Sequence, residues 1–319
     1  MRTGAASGHT GYYHTAGCFG SDEELLGLAV PFLMDGAANG EPSVVVLDER
    51  NARLVRAALP KDAAVTFLPG GAAVYERPAT AIRSYRKLLA DHVTGGASQV
   101  RIFGELSSVT QDVTWDWWAR YESAINHAYD DFPLWSICAY DTRTTPPAAL
   151  ADVMRTHPRT ALPDGRHVLN ADFTDPHLYL SERRLPVPDP LQNGEPIAEL
   201  VGPTSAEARQ AVRAADHGHV GRAQLEDLVV AVSEAVANAH RHGIAPVRLR
   251  LWRGVDRLIA TITDAGAGPE DPFAGLLPAG DGTNGGLGLW IAHQTCNHVT
   301  LHRHADGFTI RLTAGNPRH

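Results

Sequence analysis

Cysteine is scarce in this chain of 319 residues: Cys18, Cys138 and Cys296 lie far apart. That excludes a disulfide framework and the close Cys pairs of structural zinc sites. A reducing, cytoplasmic setting is the simple reading. No apolar run approaches the roughly 18 residues that a membrane-spanning helix needs, so no membrane partner is expected. The opening stretch MRTGAASGHTGYYHTAG has no apolar centre, so no secretory signal is expected in it. Basic clusters are missing too. With 28 Lys and Arg against 36 Asp and Glu, the net charge is −8. Phosphate-backbone binding needs a concentrated basic face, so nucleic acid is not expected as a direct partner. Nowhere does G-x-x-x-x-G-K-[ST] occur, which excludes a P-loop. No internal repeat is visible.

What is present is ordinary globular material, 44% hydrophobic and 20% charged, long enough for about two domains. Ser21 and Glu24 have the spacing of a capping box before an apolar helix that Gly36 or Gly40 would stop. From Ser43 to about Arg155, β-rich runs alternate with helical ones. SVVVLD, AAVTFL, QVRIFG and LWSICAYD read as strands. NARLVRAAL, PATAIRSYRKLLADHV, WDWWARYESAINHAY and PPAALADVMRTH read as helices. Pro78 stands at a helix start, where a missing N–H costs nothing. Such alternation predicts a parallel sheet covered on both faces. Four prolines in RRLPVPDPLQNGEP then read as a semi-rigid linker. Residues 1–182 are thus expected as one domain, 183–200 as a linker and 201–319 as a second, α+β domain of helix, long helix, two strands, loop, helix and two strands.

The second domain carries the chemistry. On its long helix Leu225, Leu228, Val229, Val232, Ala235, Val236 and Ala239 recur at steps of three and four, which makes an apolar face. Glu234, Asn238 and His242 follow at i, i+4 and i+8 and share another side. A solvated polar stripe would look the same. Later, Asp264 ends an apolar strand and is followed by Gly266 and Gly268, a pattern also found in plain turns. Then Gly285, Gly286, Leu287 and Gly288 open an apolar helix. Free N–H groups at a helix N-terminus, approached through glycines, make an anion cradle. The intervening PEDPFAGLLPAGDGTN has no period and reads as a lid.

The order of SEAVANAHRHG, DAGAG and GGLGLWIA from about Ser205 to Thr313 resembles the N-box and two glycine boxes of GHKL-type (Bergerat) ATP-binding domains. More narrowly it resembles the anti-sigma-factor serine kinases of bacterial partner switching. That resemblance implies an ATP-binding sandwich with ATP and Mg²⁺ as cofactors. It implies that Asn238 ligates Mg²⁺, Glu234 is the general base, and Asp264 accepts from the adenine amino group. Gly266 and Gly268 would give the ring access, and Gly285, Gly286, Leu287 and Gly288 would cradle phosphates. Arg241 and His242 would reach phosphate oxygens, and Thr309 the adenine edge. It further implies phosphoryl transfer to a Ser or Thr of an anti-anti-sigma (STAS) partner, sequestration of a sigma factor, and homodimerisation. Two other readings stand beside this one. One is a non-catalytic, nucleotide-gated binding protein. The other is a histidine-kinase-like sensor, for which His217 and His219 lie in a Gly-containing turn rather than an H-E-x-x-x-P helix.

In the first domain, His14 and Cys18 precede the first helix, two metal donors with no third nearby in sequence. Glu105 follows a strand, where ligands of α/β sheets tend to bind; a helix cap is an equal reading. Tyr140 and Asp141 end another strand. Trp115, Trp117 and Trp118 share a helix and read mostly as packing. SDEELLGLAVPFLMDGAANGEPSVVVLDE, RIFGE, YESAINHAY and CAYDTRTTPPAALADVMRTHP together resemble a MEDS domain, a sensory module related to RecA-like α/β folds. The resemblance covers about His9 to Arg159 and implies a small organic ligand in a sensory pocket, with His14, Cys18 and Glu105 as the positions to watch.

Overall fold

The computed structural model describes residues 2–68, 77–106, 109–111, 113–278 and 287–317. The chain forms two compact units, Met1–Glu76 with Ala81–Leu180, and Ser181–His319 with Arg77–Thr80.

The first unit is built on a seven-stranded sheet ordered β3-β2-β4-β5-β1-β6-β7. Its strands are β1 (Tyr13–Phe19), β2 (Ser43–Val46), β3 (Val65–Phe67), β4 (Val100–Glu105), β5 (Leu134–Asp141), β6 (Arg159–Ala161) and β7 (His167–Leu169). All pairings are parallel except β6 with β7. The helices α1 (Asp22–Ala38), α2 (Glu49–Ala58), α3 (Pro78–Thr94), α4 (Trp115–Ala128), α5 (Pro147–Thr156) and α6 (Pro176–Ser181) connect them. The expected α/β class with a parallel sheet is what the unit has. The N-terminal segment corrects the strand count. It supplies β1, seated between β5 and β6. Six of its seven residues are buried, so the two-residue alternation that marks a half-buried strand is absent.

Helix α1 starts as its sequence dictates. Ser21 Oγ accepts the Glu24 N–H at 3.2 Å, and Glu24 Oε2 accepts the Gly20 N–H at 2.6 Å. The first turn then carries Asp22, Glu23 and Glu24. Three carboxylates where a β1–α1 loop would meet phosphate fit the lack of a P-loop.

The second unit is a five-stranded antiparallel sheet, β11-β12-β10-β9-β8, under helices. Its strands are β8 (Ala198–Val201), β9 (Arg248–Arg253), β10 (Arg257–Asp264), β11 (His298–His304) and β12 (Gly307–Gly315). The helices are α7 (Ser205–Ala215), α8 (Arg222–His242) and α9 (Leu287–Thr295). Thr204 caps α7 through a reciprocal box with Glu207. Of the apolar row expected on α8, Leu228, Val229, Val232, Ala235, Val236 and Ala239 are buried; Leu225 is half-buried. They pack on β10 and β12, whose Leu258, Ala260, Ile262, Ile310 and Leu312 are buried, while α7 covers β9 with its buried Leu249 and Leu251. This is the α+β sandwich of the GHKL class.

Part of the proline-rich stretch is built into this unit. Residues 190–193 form a 3-10 turn capped by Asp189. The Asp189 carboxylate accepts both Arg257 Nε and an Arg257 terminal nitrogen, at 2.9 and 3.0 Å. Arg311 donates to the Val187 carbonyl at 2.8 Å. Strand β8 then forms the sheet edge beside β9.

Candidate functional site

Helix α8 presents Glu234, Asn238 and His242 on one side, because four residues are close to one turn. The last turn of α8 ends at Gly243, and the chain returns to run beside the end of β10. There Asp264, 6% exposed, accepts the Gly266 N–H at 2.7 Å and the Ile244 N–H at 3.2 Å on the same Oδ1. Two backbone donors fix this carboxylate at the floor of a cleft. They leave the second oxygen without a hydrogen bond among the described residues.

The cleft encloses about 520 Å³, inside the usual range of small-molecule sites. Asn238, Ala239 and His242 of α8 form one wall, Ile262, Asp264, Phe308 and Ile310 of the sheet the floor, and residues 268–277 with Leu289 of α9 the far side. Gly268 is in the left-handed region, φ +75°, and a Cβ there would lie 2.5 Å from the Phe308 ring. The segment over the cleft is pinned at Asp271, whose carboxylate accepts the Phe273 N–H at 2.9 Å, and by the buried Phe273 and Leu276.

Helix α9 closes on α8 at Gly288. A Cβ on that residue would lie 2.7 Å from Asn238 Nδ2 and 3.2 Å from Glu234 Oε2. The second glycine box and the polar row therefore meet. Glu234, Asn238 and His242 make no hydrogen bond or ion pair among the described residues. Carboxylates dominate the cleft, with Asp264, Glu270 and Asp271, and no Lys or Arg among the described residues lines it. An anionic ligand fits there only together with a cation.

Other expected site residues fall differently. Arg241 is exposed on α8 and is not part of the cleft wall. Leu287 begins α9 and is 54% exposed. Gly285 and Gly286 lie outside the described residues, as does the stretch 279–284 of the expected lid. Gly266 holds Asp264 through its N–H and lies outside the cleft lining. Thr309 faces away from the cleft. Strand neighbours alternate, and Phe308 and Ile310 take the cleft side. Thr309 Oγ1 instead lies 2.8 Å from Thr263 Oγ1 and 3.1 Å from His304 Nε2.

In the first unit the three expected positions separate. Glu105 is buried; its Oε1 accepts the Asp48 N–H and its Oε2 accepts Asn51 Nδ2 at 2.9 Å. It ties the end of β4 to the start of α2, and burial raises its pKa to about 7. Cys18 and His14 project from one face of β1, but four residues apart, about 13 Å along the strand. His14 is fully buried against residues that sequence reasoning did not single out. Its Nε2 lies 3.3 Å from Glu122 Oε2 and 3.4 Å from Cys138 Sγ. The His157 ring is 4.0 Å away, centroid to centroid. Burial lowers both His14 and His157 to about 3 and raises Glu122 and Cys138. Each comes from a different element, so no spacing in the sequence joins them.

No helix among the described residues is long and apolar enough to cross a membrane. Residues 13–158 match the family model of the MEDS domain, the methanogen/methylotroph, DcmR sensory domain. Residues 202–314 match that of the histidine kinase-like ATPase domain. No curated protein matches the chain. Among solved structures, it is similar to the crystal structure of the RsbU and RsbW domains of a Mycobacterium tuberculosis protein. The identity is 22% over 38% of this chain and 32% of that one, with a TM-score of 0.26. It is also similar to the NMR structure of the histidine kinase domain of the E. coli osmosensor EnvZ. There the identity is 17% over 40% of this chain and 92% of that one, with a TM-score of 0.25. The chain thus spans about a third of the length of the first of these. The chain carries two recognised domains, a MEDS sensory domain followed by a histidine kinase-like ATPase domain.

Proposed function

We propose that the second unit binds Mg-ATP in the cleft between α8, the sheet and α9, and that it phosphorylates a Ser or Thr of an STAS-type anti-anti-sigma partner while sequestering a sigma factor. The first unit would gate this activity. One observation carries the reading. Asn238, Asp264 and Gly288 belong to three motifs far apart in sequence; Asn238 and Asp264 line one cleft, Gly288 abuts Asn238, and the polar row makes no hydrogen bond or ion pair among the described residues.

The residues present fit the group. Asp264 offers a fixed, buried carboxylate oxygen for an exocyclic amine, over a floor of Ile262 and Phe308 apolar enough for a ring. Gly288 leaves space beside Asn238 that a side chain would fill. Asn238 offers the amide oxygen that a hard divalent cation prefers. Because the cleft wall is acidic, polyphosphate binding there depends on Mg²⁺, which neutralises charge on the phosphoryl oxygens when bound. Glu234 stands one turn before Asn238, where its carboxylate takes the proton of an incoming serine hydroxyl. His242, at the far end of the row, precedes Gly243, which abuts Asp264, and so closes the wall at the ring end of the cleft.

The test is titration of Mg-ATP into the full chain and into Asn238→Ala. A ligand bound by the folded state alone stabilises it by about 2.7 kcal/mol at a hundredfold excess over Kd. Stabilisation that requires Mg²⁺ and disappears in Asn238→Ala supports the site. Labelled γ-phosphate appearing on a serine-bearing STAS protein, and lost in Glu234→Ala with ATP binding kept, supports the kinase. Binding without transfer would leave a non-catalytic, nucleotide-gated regulator. An acid-labile phosphohistidine would leave the histidine-kinase reading. No nucleotide binding at all overturns both the site and the activity.

A further inference from the structure

The buried cluster in the first unit has a property that packing alone does not explain. His157 Nδ1 lies 2.8 Å from the Val153 carbonyl. A carbonyl only accepts, so Nδ1 carries the hydrogen and Nε2 is a bare lone pair. His14 Nδ1 lies 2.9 Å from Asn126 Oδ1. The Asn126 amide is oriented by its nitrogen, which donates to the carbonyls of Glu122, Ser123 and Thr156 at 3.1, 3.1 and 2.8 Å. His14 Nδ1 is therefore also the donor, and its Nε2 is also bare. Both bare nitrogens face Glu122 Oε2, at 3.3 and 3.5 Å. Glu122 Oε2 and His157 Nε2 are buried without a hydrogen-bond partner among the described residues. Three acceptors thus converge, with the Cys138 sulfur as a fourth group, and the four donor atoms lie within 4.8 Å of one another. A carboxyl proton on Glu122 can serve His157, and the one donor then left for His14 Nε2 among the described residues is the weak Cys138 S–H at 3.4 Å.

A tetrahedral ion with bonds of about 2.0 Å to nitrogen and oxygen and about 2.3 Å to sulfur sets N···O near 3.3 Å and N···S near 3.6 Å. The contacts found are 3.3 and 3.5 Å for N···O and 3.4 Å for N···S. Nδ1–H groups tied to an amide oxygen and a carbonyl are the outer partners that metal-bound imidazoles use to fix ring orientation. We infer that His14, Glu122, Cys138 and His157 hold one divalent transition-metal ion of the zinc class in the MEDS domain. Imidazole with thiolate selects zinc and its neighbours over magnesium or calcium. Glu122 and Cys138 also line a small cavity of about 30 Å³ with Tyr12, Tyr121, Tyr129 and Ser136. That is room for a water-sized ligand beside the ion.

The test uses the full, untagged chain, stripped with a chelator and titrated with Co²⁺. We expect one equivalent to bind, with tetrahedral visible bands and a near-ultraviolet thiolate-to-cobalt band, and Zn²⁺ to bleach both. The thiolate band should be absent in Cys138→Ser. It should persist in Cys18→Ser/Cys296→Ser, where Cys138 is the remaining thiol; this variant decides the matter if Cys138→Ser does not fold. Failure of the folded chain to bind Co²⁺ or Zn²⁺ overturns the site. So does a thiolate band that survives Cys138→Ser or is lost in the double variant.

Discussion

Glu105 shows what one buried carboxyl does to the pH response of a domain. Burial raises it to about 7 from an ordinary value of 4.5, although the Asp48 N–H and the Asn51 amide both favour its charged form. A raised carboxyl binds its proton more tightly in the folded state. The stability it confers is complete below the unfolded value of 4.5 and is lost as pH rises through about 7. The whole effect is on the order of 3 kcal/mol, since one pKa unit is about 1.4 kcal/mol. Glu105→Gln keeps a carbonyl acceptor for the Asp48 N–H and removes the titration. The difference in first-unit stability between wild type and Glu105→Gln, measured by urea unfolding at pH 5 and pH 8, should change by a few kcal/mol, with wild type losing relative stability at pH 8. An unchanged difference would mean that Glu105 is already ionised at pH 5. Its place at a strand end is what let the sequence mark this residue as a ligand position or as a cap for the following helix. The structure has it tie the start of α2, an earlier helix, instead.

At the scale of elements, the contact of α9 with α8 is the feature on which the nucleotide reading turns. Gly288→Ala adds a methyl group 2.7 Å from Asn238 Nδ2 and 3.2 Å from Glu234 Oε2. Both neighbours are side chains at the edge of a cleft and can move, so the fold should survive. Overpacking of this kind costs about 1–3 kcal/mol. Spent on displacing Asn238, it should weaken Mg-ATP binding by roughly tenfold or more. Calorimetry reads this directly, and an unchanged Kd in Gly288→Ala would remove the helix start from the site. The same elements explain what was legible. Helix α8 announces itself because its apolar and polar rows each keep a helical step, so Glu234, Asn238 and His242 needed no structure to be grouped. Asp264 was legible because the strand before it is apolar and the turn after it is glycine-rich. Thr309, expected at the adenine edge from the resemblance, has the opposite strand parity to Phe308, Ile310 and Leu312, which form the inward row. Strand β1 was missed because it is buried on both faces. Strands β6 and β7 have three residues each, too few for alternation to register. The His14 cluster was illegible for a plainer reason. Its members stand on β1, α4, β5 and just after α5, and only the parallel sheet order brings them together.

At the scale of the molecule, a sensory domain in the same chain as an ATPase domain implies regulation only if the two share a coupling free energy. The proposed metal cluster and nucleotide cleft would give each unit a ligand of its own, so this can be measured without knowing the natural signal. Allosteric couplings typically amount to about 1–3 kcal/mol, or roughly 5- to 150-fold in affinity. If the MEDS domain gates the ATPase domain through its metal-bound state, the Kd for Mg-ATP should differ at least about fivefold between stripped and Zn²⁺-loaded full chain. Linkage then requires that saturating Mg-ATP change the affinity for Zn²⁺ by the same factor and in the same sense. Glu122→Gln should abolish the difference in ATP affinity by weakening the metal site, while Asn238→Ala should abolish the reciprocal effect on metal. Equal ATP affinities in the two metal states, with both sites individually functional, would make the metal a structural fixture of the first unit. Any gating signal would then have to enter elsewhere.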